Sequence, residues 1–140
     1  MRLVGWLFLA AMVAGCEGFA PPMPDWIVNR QPLDSCAEGI VEDGSPEAEV
    51  AQRCMLDAYG DGRGAELVTS GQMETGDPMT TYLRVHRNGT IEVFRNLGGD
   101  PNAPGAWERM RCENLVPTDL VRGPAEGAFT VTGCEMLPLP

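Results

Sequence analysis

The apolar positions of this chain fall into three regimes, each of which predicts a different element. Leu3 to Met12 is an unbroken, uncharged and mostly apolar run. It has the length of a signal-peptide hydrophobic region and is too short to cross a bilayer. Further on the spacing becomes helical: Val50, Ala51, Cys54, Met55 and Ala58 form a stripe, with Gln52, Arg53 and Asp57 on the other side. Ser45 can cap the free backbone N–H groups ahead of that stripe. Pro46 suits the first helical position, and Glu47 and Glu49 favour the positive helix end. Gly60-Asp61-Gly62-Arg63-Gly64 ends the helix. After it the pattern alternates. Ala65 to Met73, Met79 to His86 and Thr90 to Asn96 read as strands, as do Trp107 to Cys112 and Ala128 to Met136.

One turn can be argued to the register. A two-residue turn at Asn88-Gly89 would put Leu83 and Val85 on one face and Ile91 and Val93 on the other. A three-residue loop, with Gly89 left-handed, instead pairs Val85 with Ile91 and Leu83 with Val93. The opposite face then pairs Arg84 with Glu92 and Tyr82 with Phe94. A slip of one residue moves a whole apolar set into water, so the three-residue loop is expected. The resulting fold class is α+β: one N-terminal helix packed on an antiparallel meander of about five strands, whose exposed face the helix must cover.

Before the helix the pattern breaks down. Pro21, Pro22, Pro24 and Pro32 make residues 16–33 a Pro-rich, extended tether, leaving 34–140 as a single domain. Phe19, Trp26 and Ile27 are out of place in such a tether, and docking onto the domain is their expected fate.

The formal charge is −10, and all ten basic residues are Arg. This acidity speaks against nucleic acid, whose phosphates require clustered cations, and for a solvated acidic surface. Five cysteines are present. Setting Cys16 aside leaves Cys36, Cys54, Cys112 and Cys134, an even set that reads as two disulfides in an exported domain. Three pairings are open. Cys36–Cys54 and Cys112–Cys134 are favoured because each closes a short local loop.

Arg2, the apolar run and Val13-Ala14-Gly15-Cys16 together resemble the leader and lipobox of bacterial lipoproteins. The resemblance implies that residues 1–15 are a signal peptide and that Cys16 carries a diacylglyceryl group. It further implies a domain held outside the cytoplasm in the cell envelope. Two acyl chains, at about 0.8 kcal/mol per buried methylene, would make release from the membrane slow. From Glu47 to Leu115 the chain is similar to a family of small bacterial lipoproteins of unknown function. Gly76-Asp77-Pro78, the hairpin Tyr82 to Phe94, and Cys112 carry that likeness, with Thr75 where the family has Glu. It implies no activity.

Catalytic and metal signatures are sparse. His86, the single histidine, is expected to face solvent at the hairpin end, beside Arg84 and Glu92. No nucleophile accompanies it in sequence. Asp57, Asp61 and Glu66 fail the spacing of a calcium loop, because Tyr59 and Val68 occupy ligand positions. Met23, Met55, Met73, Met79, Met110 and Met136 are scattered, as gap-filling residues are, and not clustered as copper ligands. Gly98-Gly99 precedes no helix, so it is no phosphate cradle. Asn88-Gly89-Thr90 spells a glycosylation sequon within a tight hairpin. The expectation is a monomeric, non-catalytic binding or interaction module, anchored by its lipid, without cofactor or metal. Its partner would be an envelope protein or a small molecule. The alternatives are an enzyme using carboxylates among Asp77, Glu92 and Asp100, or envelope metal handling through methionine and His86.

Overall fold

A computed structural model describes residues 23–98, 107–118 and 129–140. Their elements run in the order α1 (Asp25–Val28), β1 (Asp34–Glu42), α2 (Pro46–Gly60), β2 (Ala65–Gln72), β3 (Pro78–Val85), β4 (Ile91–Asn96), β5 (Trp107–Cys112), β6 (Asn114–Pro117), β7 (Phe129–Thr132) and β8 (Glu135–Leu137). The fold is mixed α and β, with strands predominating.

The expected helix is α2, and its ends form for the expected reasons. Ser45 Oγ accepts from the Ala48 N–H at 3.1 Å. At the other end Gly62 takes φ +65°, Arg63 N–H donates to the Ala58 carbonyl and Gly62 N–H to that of Tyr59. This is the Schellman closure that a left-handed glycine permits. The buried stripe is Ala48, Ala51, Met55 and Ala58, and Val50, expected in it, is 66% exposed. At about 100° per residue, the four buried positions lie within about 80° of one another, whereas Val50 is about 100° from Ala51.

β2, β3, β4 and β5 form the antiparallel meander. The hairpin register is the one argued from sequence: Val85 opposite Ile91, Leu83 opposite Val93, Arg84 opposite Glu92 and Tyr82 opposite Phe94. Gly89 takes φ +81°. Two expectations need correction. First, the sheet has six strands in the order β1-β2-β3-β4-β5-β8, and β1 joins it parallel to β2. Thus α2 is the crossover of a β-α-β unit, preceded by a strand and not by a tether alone. Second, the strand expected over 128–136 is broken at Gly133, which takes φ +66°. β7 on one side pairs with β6 in a separate two-stranded sheet, while β8 on the other pairs with β5.

Alternation gives the main sheet two different faces. One carries the row Ala65, Val85, Ile91, Cys112, and beside it Leu67, Leu83, Val93, Met110. These pack under α2 and under Leu115, Phe129 and Val131 of the β6–β7 hairpin. The other face is covered from the segment read as tether. There Ile27 of α1 is fully buried with Tyr82, Phe94 and Trp107. The Trp26 ring meets Phe94 and Trp107 edge-on, at centroid distances of 5.3 and 5.8 Å. Trp26 and Ile27 therefore dock, as their apolar character demands; Phe19 lies outside the described residues.

Both cysteine pairs are the local ones, Cys36–Cys54 and Cys112–Cys134. The first ties β1 to α2. Between the pairs Ser35–Glu66 and Ile40–Val68, β1 bulges by several residues. That bulge, with Gly39 at φ +77°, carries Cys36 to the helix.

Candidate functional site

The most concentrated chemistry lies on the α1 face. Continuing the Arg84–Glu92 pair across the sheet gives a row of alternating charge: Glu66, Arg84, Glu92, Arg111 and Glu135, one from each of five neighbouring strands. Cross-strand neighbours of opposite sign attract, so the register itself assembles the row. Arg30, in the segment after α1, and Arg109 join it from outside.

Glu66 is gripped from two sides. Arg30 Nε donates to its Oε2 at 2.7 Å and a second Arg30 nitrogen donates to Oε1, the two-pronged geometry that suits guanidinium and carboxylate. Arg84 Nε lies 2.9 Å from Glu66 Oε2 but is not aligned for a hydrogen bond. The contact is therefore an ion pair. Glu92 Oε1 accepts from Arg109 at 3.1 Å, and Oε2 lies 2.8 Å from His86 Nε2 and 3.6 Å from Arg84. Burial pushes both carboxyls up, but the bonds and charges of their partners outweigh it. Arg30 and Arg84 hold Glu66 below the ordinary carboxylate range, and Arg109 and His86 do the same for Glu92. The hydrogen bond to Glu66 raises Arg30 in turn. Arg84 itself is 3% exposed.

The network also holds the chain segment above it. Arg84 donates to the Gln31 carbonyl, and Arg30 to the Ile27 carbonyl at 2.6 Å. The Arg30 guanidinium lies 5.0 Å from the Tyr82 ring centroid, within cation–π range. Every oxygen of Glu66 and Glu92 faces a guanidinium or the His86 ring.

His86 departs from expectation. It is half-buried against Glu92 rather than solvent-facing, and it lines an open cleft of about 470 Å³ with Gln31, Asp34, Arg87 and Asn88. A carboxylate-oriented imidazole at a cleft is half of a nucleophilic set. No serine, threonine or cysteine lines this cleft among the described residues.

The other residues singled out from sequence are dispersed. Asp77 sits in the β2–β3 turn, where it accepts from the Thr75 hydroxyl at 2.8 Å. From there to Glu92 is the length of β3 from Pro78 to Arg84, roughly 20 Å at a strand's rise per residue. The structure does not bring those two carboxylates together; Asp100 and Cys16 lie outside the described residues. Asp61 pairs with Arg63 while Glu66 serves the network on the sheet. Met55 and Met110 are buried, whereas Met23 and Met136 are exposed. No group of three or more His, Cys, Asp or Glu side chains could hold a metal ion among the described residues.

Two further hollows remain. One, about 470 Å³, lies at the Asp43 end between β1 and β3 and is lined by polar groups. The other, about 130 Å³, lies over the middle of the sheet between α2 and β7, and is chiefly apolar. Arg95 enters this smaller hollow, and its Nε is buried without an acceptor among the described residues. The Nε atoms of Arg84 and Arg109 are in the same state, and an unmet buried donor costs about 1–3 kcal/mol.

No candidate membrane-spanning helix occurs among the described residues. Compared with known proteins, the chain matches no family model, no curated sequence and no solved structure.

Proposed function

We propose that this protein is a lipid-anchored binding module of the bacterial cell envelope, without catalytic activity of its own. The observation that carries this reading is the leader: an apolar run from Leu3 to Met12 leading directly into Val13-Ala14-Gly15-Cys16. Cys16 would become the acylated first residue of the mature protein, and the domain would stand outside the cytoplasm.

Two features support it. The four cysteines of the described residues pair with one another, which suits an oxidising compartment and leaves Cys16 outside both pairs. Of the carboxylates that an enzyme could use, Glu92 is committed to arginines and Asp77 lies far from it in the β2–β3 turn. What the domain offers instead is a set of open hollows on a fold stapled by two disulfides.

The test is replacement of Cys16. In cells fed radioactive palmitate, the wild-type protein should be labelled and shortened by lipoprotein-type processing. The Cys16→Ser protein should be neither. Continued labelling of Cys16→Ser would overturn the reading.

A further inference from the structure

We infer that the hollow between α2 and the β6–β7 hairpin binds a small branched aliphatic carboxylate, with the acid group on Arg95. This names a ligand class for the proposed binding module, and rests on that reading but not on the lipid anchor.

The floor of the hollow is two adjacent cross-strand rows. Leu67, Leu83 and Val93 form the apolar row. Thr69, Thr81 and Arg95 form the next, one residue from each of β2, β3 and β4. Phe129 and Val131 close one side. The boundary between the two rows divides the hollow into an apolar half and a half bearing two hydroxyls and a guanidinium. Sites for small amphipathic ligands have this composition: mostly apolar walls with a few placed polar groups that fix orientation.

Arg95 differs from the other sheet arginines of known partner. Arg84, Arg109 and Arg111 each lie within ion-pair distance of a glutamate. Arg95 stands directly across from Glu108, yet its side chain makes no ion pair or hydrogen bond among the described residues. A guanidinium in that state calls for an acceptor with two oxygens in one plane, which a carboxylate supplies. A doubly charged phosphate would meet a single cation in an apolar setting, so the monoanion fits better. An amine is disfavoured by the like charge. Asp43 also borders the hollow, but its Oδ2 is turned over Gly71, 2.5 Å from where a Cβ would stand there.

Size narrows the class. The hollow of about 130 Å³ is slightly smaller than a cavity of about 150 Å³ that takes up benzene, so it suits an acid of about five or six carbons.

The experiment uses the full chain in lipid nanodiscs and isothermal titration with 3-methylbutanoate and with its uncharged isostere 3-methylbutanamide. Wild type should bind the acid saturably and about tenfold or more tightly than the amide, as a charge-assisted bond to Arg95 requires. Arg95→Gln should bring the two within about threefold, and Val131→Trp, which fills the hollow, should abolish both. Near-UV circular dichroism verifies that each variant is folded. The proposal is overturned if wild type shows no saturable acid binding, if it binds acid and amide equally, or if folded Val131→Trp still binds. None of these outcomes depends on palmitate labelling, so failure here and failure of the anchor are told apart.

Discussion

Ile27 sits in a stretch whose prolines suggest a tether, yet its side chain is 0% exposed. Ile27→Ala therefore separates docking from tethering. The substitution removes three carbons from a buried site, about 2.4 kcal/mol at roughly 0.8 kcal/mol per methylene. A residual cavity adds to this, but α1 lies at the surface and can settle, which places the cost in the lower half of the usual range of about 2–5 kcal/mol. About 3 kcal/mol is expected. There is also a ceiling. α1 has four residues and no side-chain N-cap, far too few to be stable alone. Once undocked it contributes nothing further, so the loss cannot exceed the total docking energy. That total includes two edge-on contacts of Trp26, each worth about 0.5–1.5 kcal/mol beyond burial. Urea unfolding of the full chain in nonionic detergent, followed by far-ultraviolet circular dichroism, measures the difference. Val28→Ala, at a residue 58% exposed, should change stability by less than about 0.5 kcal/mol. An Ile27→Ala loss equally small would refute the docking argument and return residues 24–33 to the tether.

Two further perturbations address what holds the sheet. Glu66 and Glu92 titrate below their ordinary value of 4.5 in the folded protein. The unfolded chain then takes up protons first as pH falls. The stability they contribute is complete well above pH 4.5 and is lost as pH drops through their folded values. The melting temperature of wild type should therefore fall on acidification more steeply than that of the Glu66→Gln, Glu92→Gln double variant; parallel curves would refute the linkage. Replacing Cys36 and Cys54 together by alanine opens a loop with a sequence separation of 18. This should lower stability by about 3 kcal/mol in the chain-entropy model and speed hydrogen exchange in α2. Unchanged exchange would show that the crossover helix does not depend on its staple.

The sequence was most legible where two faces of one element differ. The β3–β4 register followed from keeping Leu83, Val85, Ile91 and Val93 together, because any slip exposes all four. β1 gave no such signal. Its residues, Asp34 to Glu42, are mostly half-exposed or exposed, the strand is interrupted by a bulge, and its partner β2 lies beyond a whole helix. An edge strand recruited through a non-local parallel pairing leaves little local pattern. The break at Gly133 did leave a trace: the apolar positions shift there from Phe129 and Val131 to Cys134 and Met136, and the left-handed backbone of Gly133 divides β7 from β8. Of the charged row, Arg84 and Glu92 were legible from the hairpin. Extending the same register one strand each way would have added Glu66 and Arg111. Arg30 could not have been found this way, since it arrives with α1.

The row explains how so polar a face can be covered by so short a helix. Buried ion pairs seldom add much net stability, because desolvation offsets their attraction, but breaking one is costly. They therefore select geometry more than they drive burial. Here the driving force comes from Ile27 and Trp26 on the aromatic residues Tyr82, Phe94 and Trp107, and that contact alone would tolerate sliding. Arg84 bonds the Gln31 carbonyl, and Arg30 spans the Ile27 carbonyl and Glu66. A shift of α1 by one residue would strand a guanidinium at low exposure without its acceptor. The same alternation that sends Leu83 and Val85 to the α2 side sends Tyr82 and Arg84 to the α1 side. One register thus builds an apolar core on one face and a keyed docking surface on the other.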